Sequence, residues 1–394
     1  VNLLDWLLVI LVLAYALSGY WQGFVTGASA TVGLLAGGLF GVWLAPIALG
    51  DADPSLLVSL GALFIVILAA SLGQGLCQFL GARLRDKIRW QPVRALDAIG
   101  GAVLSAAAVL IVAWALGVAV SGSRIEGVTP MVRSSVVLSE VNDVLPSGAG
   151  NVLTAFNDVV GTSFFPRYLE PFSPEKIVDV KPGDKRILND PDVERAGDSV
   201  LKVRGTNDCG RGVEGSGFVY ADGRLMTNAH VVAGVDDPEI EIDGDMVSAT
   251  VVEYDSQLDI AILAFDSEAV TPIAFNAPEE PAEQRESIAI LGYPEDGPFD
   301  IQPGRIRDLQ RLRSPDIYGE GSVIREVFSL RGLVRPGNSG GPVVDSEGHV
   351  VGIVFAASVT DEDTGYALTA SQVREAAAQG VINDNEASTG GCAR

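Results

Sequence analysis

Apolar residues fill most of the first 120 positions and then give way to short alternating runs. Four apolar stretches, at about 3–20, 24–48, 55–80 and 97–120, are each long enough, or nearly so, to cross about 30 Å of hydrocarbon as a helix. A cleaved leader would account for the first alone, so the pattern predicts four transmembrane helices. Gly33, Gly37 and Gly41 recur at the spacing that lets membrane helices approach closely. From about 198 the period shortens to that of strands: 215–220, 225–227, 239–242, 248–254, 260–265, 287–291, 323–330, 343–344 and 350–355. Asp222-Gly223, Asp243-Gly244 and Glu347-Gly348 punctuate them as hairpin turns, and one helix, at 370–379, closes the run.

Many short strands with little helix predict a sandwich or barrel. Between the two regions, 134–144 and 151–160 have the pattern of short amphipathic helices, and Pro166, Pro171, Pro174, Pro182 and Pro191 break regular elements, predicting a mostly extended linker able to pack on the domain that follows. The expected division is therefore a four-helix membrane domain at 1–120, a linker at 121–197 and a β domain at 198–394.

Charge orients the chain. All five basic residues of the first 120 (Arg83, Arg85, Lys87, Arg89 and Arg94) fall in 81–94, whereas the preceding loop carries Asp51 and Asp53. Basic loops stay in the cytoplasm, which places both termini and the β domain outside. Residues 198–394 hold 14 basic and 34 acidic residues within a chain of net charge −23, so nucleic acid is excluded as a partner and the bilayer is the expected one. Of three cysteines, Cys209 and Cys392 both lie in the outward half, where an oxidising compartment favours a bond between them, and Cys77 reads as a small apolar helix residue.

The chemistry is concentrated in Gly337-Asn338-Ser339-Gly340-Gly341-Pro342. A serine hydroxyl needs a base to take its proton and amide hydrogens to hold the oxyanion. Glycines let the chain turn so that Gly337 and Ser339 supply those amides. One of only two histidines, His230, stands in Thr227-Asn228-Ala229-His230, and Asp259 lies 29 residues further on, an acid among apolar neighbours that needs a partner. The order His230, Asp259, Ser339 is that of a chymotrypsin-type triad. No cofactor or metal is called for. The other histidine, His349, reads as a surface residue.

Together with Gly215-Ser216-Gly217-Phe218-Val219 and Leu258-Asp259-Ile260-Ala261, these blocks resemble the trypsin-like serine proteases of the bacterial HtrA type. The resemblance implies two antiparallel six-stranded barrels with the triad in the cleft, and endopeptidase action on peptide or protein substrates. Counting from its motifs puts the specificity pocket at Leu333 and the substrate-pairing strand at Val354, Phe355, Ala356 and Ala357; no acid stands at the pocket, which disfavours basic side chains there. The helical region resembles the colicin V production family. Their combination resembles the mycobacterial acid-resistance periplasmic serine proteases, which implies self-cleavage in the linker and a role in envelope stress. No room remains for a PDZ module after the closing helix, so a monomeric protease domain is expected. The rival readings are a sensor or scaffold using an inactive protease fold as a binding module, and a transporter. An intact triad weighs against the first. The second lacks ionisable groups within its helices, since Asp5 and Asp97 stand near helix ends.

Overall fold

The computed structural model describes residues 1–49, 56–123, 125, 127–145, 172–266, 270–277 and 285–393, so the expected helix at 151–160 lies outside the described residues. By contact the chain forms two compact units: Val1–Val118 with Ser134–Pro146, and Ala119–Arg133 with Ser147–Arg394. Residues 121–197, expected as one connector, are thus divided between them.

The first unit is built on α1 (Leu3–Gln22), α2 (Phe24–Leu49), α3 (Leu56–Arg85) and α4 (Gln91–Ser121). Each contains a stretch long and apolar enough to span a membrane. Exposed side chains such as Leu7, Ile10, Leu35 and Phe64 suit hydrocarbon and not water. The expected glycine seam is present on α2: a Cβ on Gly33 would lie 2.2 Å from the Gly73 carbonyl oxygen, and one on Gly37 2.3 Å from that of Ala69. Only glycine permits this approach to α3.

The basic stretch is less of a loop than expected, because α3 continues to Arg85 and α4 begins at Gln91. Arginine is a good helix former and favours a helix C-terminus. The Arg85 guanidinium also holds Asp97 at 2.6 Å. Asp5 likewise has a structural role: it closes a capping box with Asn2 and accepts from Ser135 Oγ at 2.6 Å. That second bond ties α1 to the start of a short helix, Val136–Val144.

The second unit holds a single-turn-scale helix, Val128–Arg133, an extended strap over 172–184, and then a 3₁₀ turn (Lys185–Asn189) and a helix (Pro191–Gly197). Pro191 starts that helix where it was expected to break structure, since proline at the first position gives up no needed N–H and Asp190 caps the turn. The strap is clasped by side chains of the second barrel. Gln310 donates to the Lys176 carbonyl and Arg307 to that of Val178, both at 2.8 Å, and Arg331 donates to that of Val180. The Glu175 carboxylate accepts from Ser358 and Thr360.

Twelve strands follow: β1 (Val200–Thr206), β2 (Gly212–Ala221), β3 (Arg224–Thr227), β4 (Glu239–Ile242), β5 (Asp245–Asp255), β6 (Ile260–Phe265), β7 (Ser287–Gly292), β8 (Asp300–Ser314), β9 (Val323–Arg331), β10 (Pro342–Val344), β11 (Val350–Ala357) and β12 (Thr364–Thr369). They close two antiparallel barrels, β1-β2-β3-β6-β5-β4 and β10-β11-β12-β9-β8-β7. Closure pairs most of each strand on both sides and leaves few free edges. Inward Val203, Leu225, Ile240 and Leu263 fill the first barrel, and Ile290, Leu330, Val343 and Val354 the second. The helix Ala370–Ile382 packs on both.

Three strands have no counterpart in the sequence reading, and each has a physical reason. β1 carries Lys202 and Arg204; β8 is 15 residues long, largely polar and interrupted by Pro303 and Gly304; β12 begins Thr364-Gly365, which reads as a turn.

Candidate active site

His230 is displayed on one helical turn, Ala229–Val232, entered through Asn228 at the end of β3. Its Nδ1 lies 2.8 and 3.0 Å from the two carboxylate oxygens of Asp259, and its backbone N–H donates to Oδ1 at 2.9 Å. Asp259 is 1% exposed, so these bonds replace the water that a buried carboxylate would otherwise lose. It stands just outside the strand, as the run expected at 260–265 implies. β6 begins at Ile260, and Asp259 sits in the preceding turn with φ 64°, a left-handed conformation that costs energy for a residue with a side chain. Asn228 Nδ2 secures the turn by donating to the Asp259 carbonyl at 2.9 Å. Arg325, from β9, braces it from the other barrel by donating to the Gln257 carbonyl. Burial pulls that guanidinium below its ordinary value, opposed by the negative charge of Asp259, Asp316 and Asp255.

Gly337 and Gly340 have φ 88° and 83°, and both sites lack space for a side chain. A Cβ would fall 2.3 Å from the Tyr293 carbonyl oxygen at the first and 2.2 Å from that of Ser216 at the second. The turn is locked to the first barrel: Ser216 N–H donates to the Ser339 carbonyl at 2.8 Å, and Ser216 Oγ donates to the Gly337 carbonyl at 2.6 Å. Gly215 lies between His230's neighbour and the turn at 337–341, where a Cβ would meet Val231 at 2.7 Å and the Ser339 carbonyl at 3.2 Å. The missing side chain leaves room for both Val231 and the Ser339 carbonyl beside β2.

Two peptide planes around Ser339 are fixed by their carbonyls. The Pro336 carbonyl accepts from Glu295 N–H at 2.7 Å, and that of Asn338 accepts from Gly341 N–H at 2.9 Å. A trans peptide points its N–H opposite its C=O, so the amides of Gly337 and Ser339 face away from these anchors. Among the described residues neither amide has a hydrogen-bond partner, whereas the amide of Asn338 between them donates to Arg335. The Ser339 hydroxyl also has no partner there, the His230 imidazole included. Such bonds commonly tighten only with substrate bound.

The remaining expected residues fall as follows. Val354 exchanges backbone hydrogen bonds with Gly340 and Gly341 and buries its side chain in the second barrel. Its peptide groups are therefore already in use. β10 pairs with β11 only as far as Ile353, while β12 pairs with Ala356 and Ala357 on the opposite edge. Leu333 is 39% exposed and its neighbour Val334 is buried in the same core cluster as Val354 and Ala357. His349 is partly exposed beside Asp345 and Glu347. Cys209 and Cys392 are bonded across 183 residues, and Cys77 is free on α3. The bond lies against Gly234, four residues after His230, where Gly234 N–H also donates to the Thr389 carbonyl. Sequence reasoning assigned no role to Ser216, Arg325 or Glu295. Only Ser216 had a signal, its setting between two glycines.

Two six-stranded barrels, with a buried His-Asp pair and a glycine-set serine where they meet, define a trypsin-like serine protease. A family model described as "Trypsin-like peptidase domain" matches residues 215–353, and one described as "Colicin V production protein" matches residues 4–146. The serine protease Rv3671c of Mycobacterium tuberculosis is 35% identical over 375 residues, 94% of this chain and 94% of that protein. The crystal structure of the active form of the Rv3671c protease superposes with a TM-score of 0.54 at 40% identity, over 57% of this chain and 99% of that one. A probable periplasmic serine endoprotease, DegP-like, of Halomonas elongata is 31% identical over 141 residues, 35% of this chain and 28% of that protein. The chain belongs to the same serine protease family as Rv3671c. It is a serine endopeptidase carrying four helices able to span a membrane.

Proposed function

We propose that His230, Asp259 and Ser339 form the catalytic triad of a membrane-tethered endopeptidase whose protease domain faces the extracytoplasmic space. Ser339 Oγ adds to the scissile carbonyl as His230 takes its proton, and the amides of Gly337 and Ser339 receive the oxyanion. His230 then returns the proton to the leaving amine, and water repeats the cycle to release the acid. Asp259 keeps the imidazole in the tautomer that accepts at Nε2. The amides of Gly337 and Ser339, without a partner among the described residues, carry this reading: buried amides are costly in a fold unless a ligand oxygen uses them.

Substrate would add as a strand to β11 along 355–357, on the edge that β10 leaves open past Ile353. Phe355, Ala356 and Ala357 act there through their backbone, and Leu333 and Val334 suit a small or medium apolar side chain. Residues 1–120 serve as the membrane domain and 198–394 as the protease, with 121–197 as connector and the basic end of α3 inside the cell. The protease domain acts as a monomer. The resemblance drawn from sequence adds self-cleavage in the connector and a role in envelope or acid stress. Within 172–190, cleavage would require the strap to leave the barrel, since its carbonyls are clasped. The test is labelling by a fluorophosphonate probe, which should mark wild type and not Ser339→Ala; an unlabelled but folded wild type would remove the reading.

A further inference from the structure

We propose that Lys202 and Arg204 are positioning residues for the oxyanion hole, acting from the first barrel through the turn at 293–297 of the second. The inference rests on the triad reading above and adds to it the groups that hold one amide in place. Both cations lie on β1, a strand that contributes no residue to the proposed triad.

The chain of contacts is short. The N–H of Gly337 belongs to the Pro336–Gly337 peptide, whose carbonyl is held by Glu295 N–H at 2.7 Å. Glu295 and the next residue, Asp296, have φ 56° and 53°, so the segment that presents this N–H is in a conformation that two residues with side chains adopt at a cost. Something must hold it. Asp296 is the anchored residue: Lys202 Nζ donates to its backbone carbonyl at 3.2 Å and pairs with its carboxylate at 3.2 Å, and Arg204 pairs with the same carboxylate.

Lys202 is placed for this task. Its side chain is only 9% exposed, its Nζ stands 5.3 Å from the centre of the Tyr293 ring, and Glu241 lies at 3.9 Å. Burying an ammonium is costly unless such partners replace its water. Tyr293 is itself tied at both ends, by its N–H to Ser216 Oγ at 2.8 Å and by its hydroxyl to the Val200 carbonyl at 3.2 Å. The turn is therefore held at Tyr293 and Asp296, and the residue between them that sets the Gly337 amide has a fixed position. Remove the Asp296 anchor and the left-handed pair can relax, releasing the Pro336 carbonyl and letting the peptide rotate its N–H away from the oxyanion.

The experiment uses the full-length protein in detergent with three variants. Lys202→Met keeps an apolar stem over the Tyr293 ring, Asp296→Asn keeps a residue that tolerates left-handed φ, and Lys202→Arg restores a cation. Turnover of one peptide is measured beside binding of a peptidyl trifluoromethyl ketone. Ser339 Oγ adds to that ketone carbonyl, its proton passes to His230, and the hemiketal oxygen becomes the anion in the hole. The alcohol of the same peptide, which forms no oxyanion, is the control. Loss of an oxyanion donor costs about 100- to 1,000-fold, so partial loss of its positioning should lower kcat about 10- to 100-fold with KM within about 2-fold. Ketone affinity should fall by the same factor, alcohol affinity should stay, and Lys202→Arg should recover most of the loss. Equal loss of ketone and alcohol binding would mean a merely structural role, and unchanged kcat in both Lys202→Met and Asp296→Asn would overturn the inference. A wild type that neither hydrolyses peptide nor forms the ketone adduct would instead overturn the triad reading beneath it. Should Lys202→Met fail to fold, Asp296→Asn alone decides.

Discussion

Asp259→Asn separates the charge of the buried acid from its shape. The His230 backbone N–H donates to Oδ1 at 2.9 Å, so the asparagine must place its carbonyl oxygen there to keep that bond. Its amide nitrogen then takes the Oδ2 position, 2.8 Å from His230 Nδ1. An amide nitrogen only donates, so Nδ1 becomes an acceptor and the imidazole proton moves to Nε2, leaving nothing to accept the serine proton. In the trypsin-like template this tautomer error lowers kcat by about 10⁴, or about 5 kcal/mol of transition-state stabilisation. The fold should survive, because asparagine tolerates the left-handed φ of 64° and is neutral in a site that is 1% exposed. The assay is peptide turnover and fluorophosphonate labelling rate, with circular dichroism and thermal midpoint on the same sample. A folded Asp259→Asn protein that loses less than about 10-fold in kcat would refute the assignment of Asp259 as the group that fixes the tautomer.

Other expectations are independent of that residue. Gly37→Leu puts a side chain where a single Cβ already falls 2.3 Å from the Ala69 carbonyl; overpacking of this kind costs about 1–3 kcal/mol, and thermal unfolding of the detergent-solubilised helices should report it. Cys392→Ser should cost about 2–5 kcal/mol and lower turnover with it, because the lost bond frees the tail that lies against Gly234; equal midpoints for variant and wild type would count against this. Glu175→Ala should loosen the 358–360 loop, raising KM more than it lowers kcat, since the carboxylate holds Ser358 and Thr360 just beyond the proposed substrate strand.

On acidification the cluster around Lys202 should tighten before it fails. Burial, then the charge of Asp296, raises Glu214; Asp296 is lowered, burial opposing but outweighed by hydrogen bonds from Arg204 and Lys202. A raised carboxyl opposes folding where it is ionised and relents as it protonates, whereas a lowered one stabilises above its unfolded value and is lost only as pH falls through its folded value. With Glu241 the remaining acid of the group, thermal stability should persist below the ordinary carboxylate range and Asp296→Asn should remove that persistence; identical profiles of thermal midpoint against pH in both proteins would contradict it.

Hydrophobic periodicity determined most of the architecture. An apolar run of membrane length has few alternatives to a helix, and short alternating runs between glycine turns have few alternatives to antiparallel strands, so four helices and nine of the twelve strands were legible. The blocks around Ser339, His230 and Asp259 stand out in a single sequence for a different reason: the chemistry proposed for them restricts residue type and local glycine strongly. What periodicity could not give was any strand whose polar residues face a partner instead of water. Lys202 and Arg204 disguise β1 because their charges are met by Asp296, 92 residues away from Arg204. The extended course of 172–184 was legible, but not that Arg307, Arg331 and Gln310 from the second barrel satisfy its carbonyls. Only the tertiary structure decided that Asp259 sits in a strained turn, that Glu295 N–H orients the Gly337 amide, and that β11 is left with an open edge. Each depends on which distant groups meet, and pairings of that kind are set by the closure of two barrels, which no local pattern of residues contains.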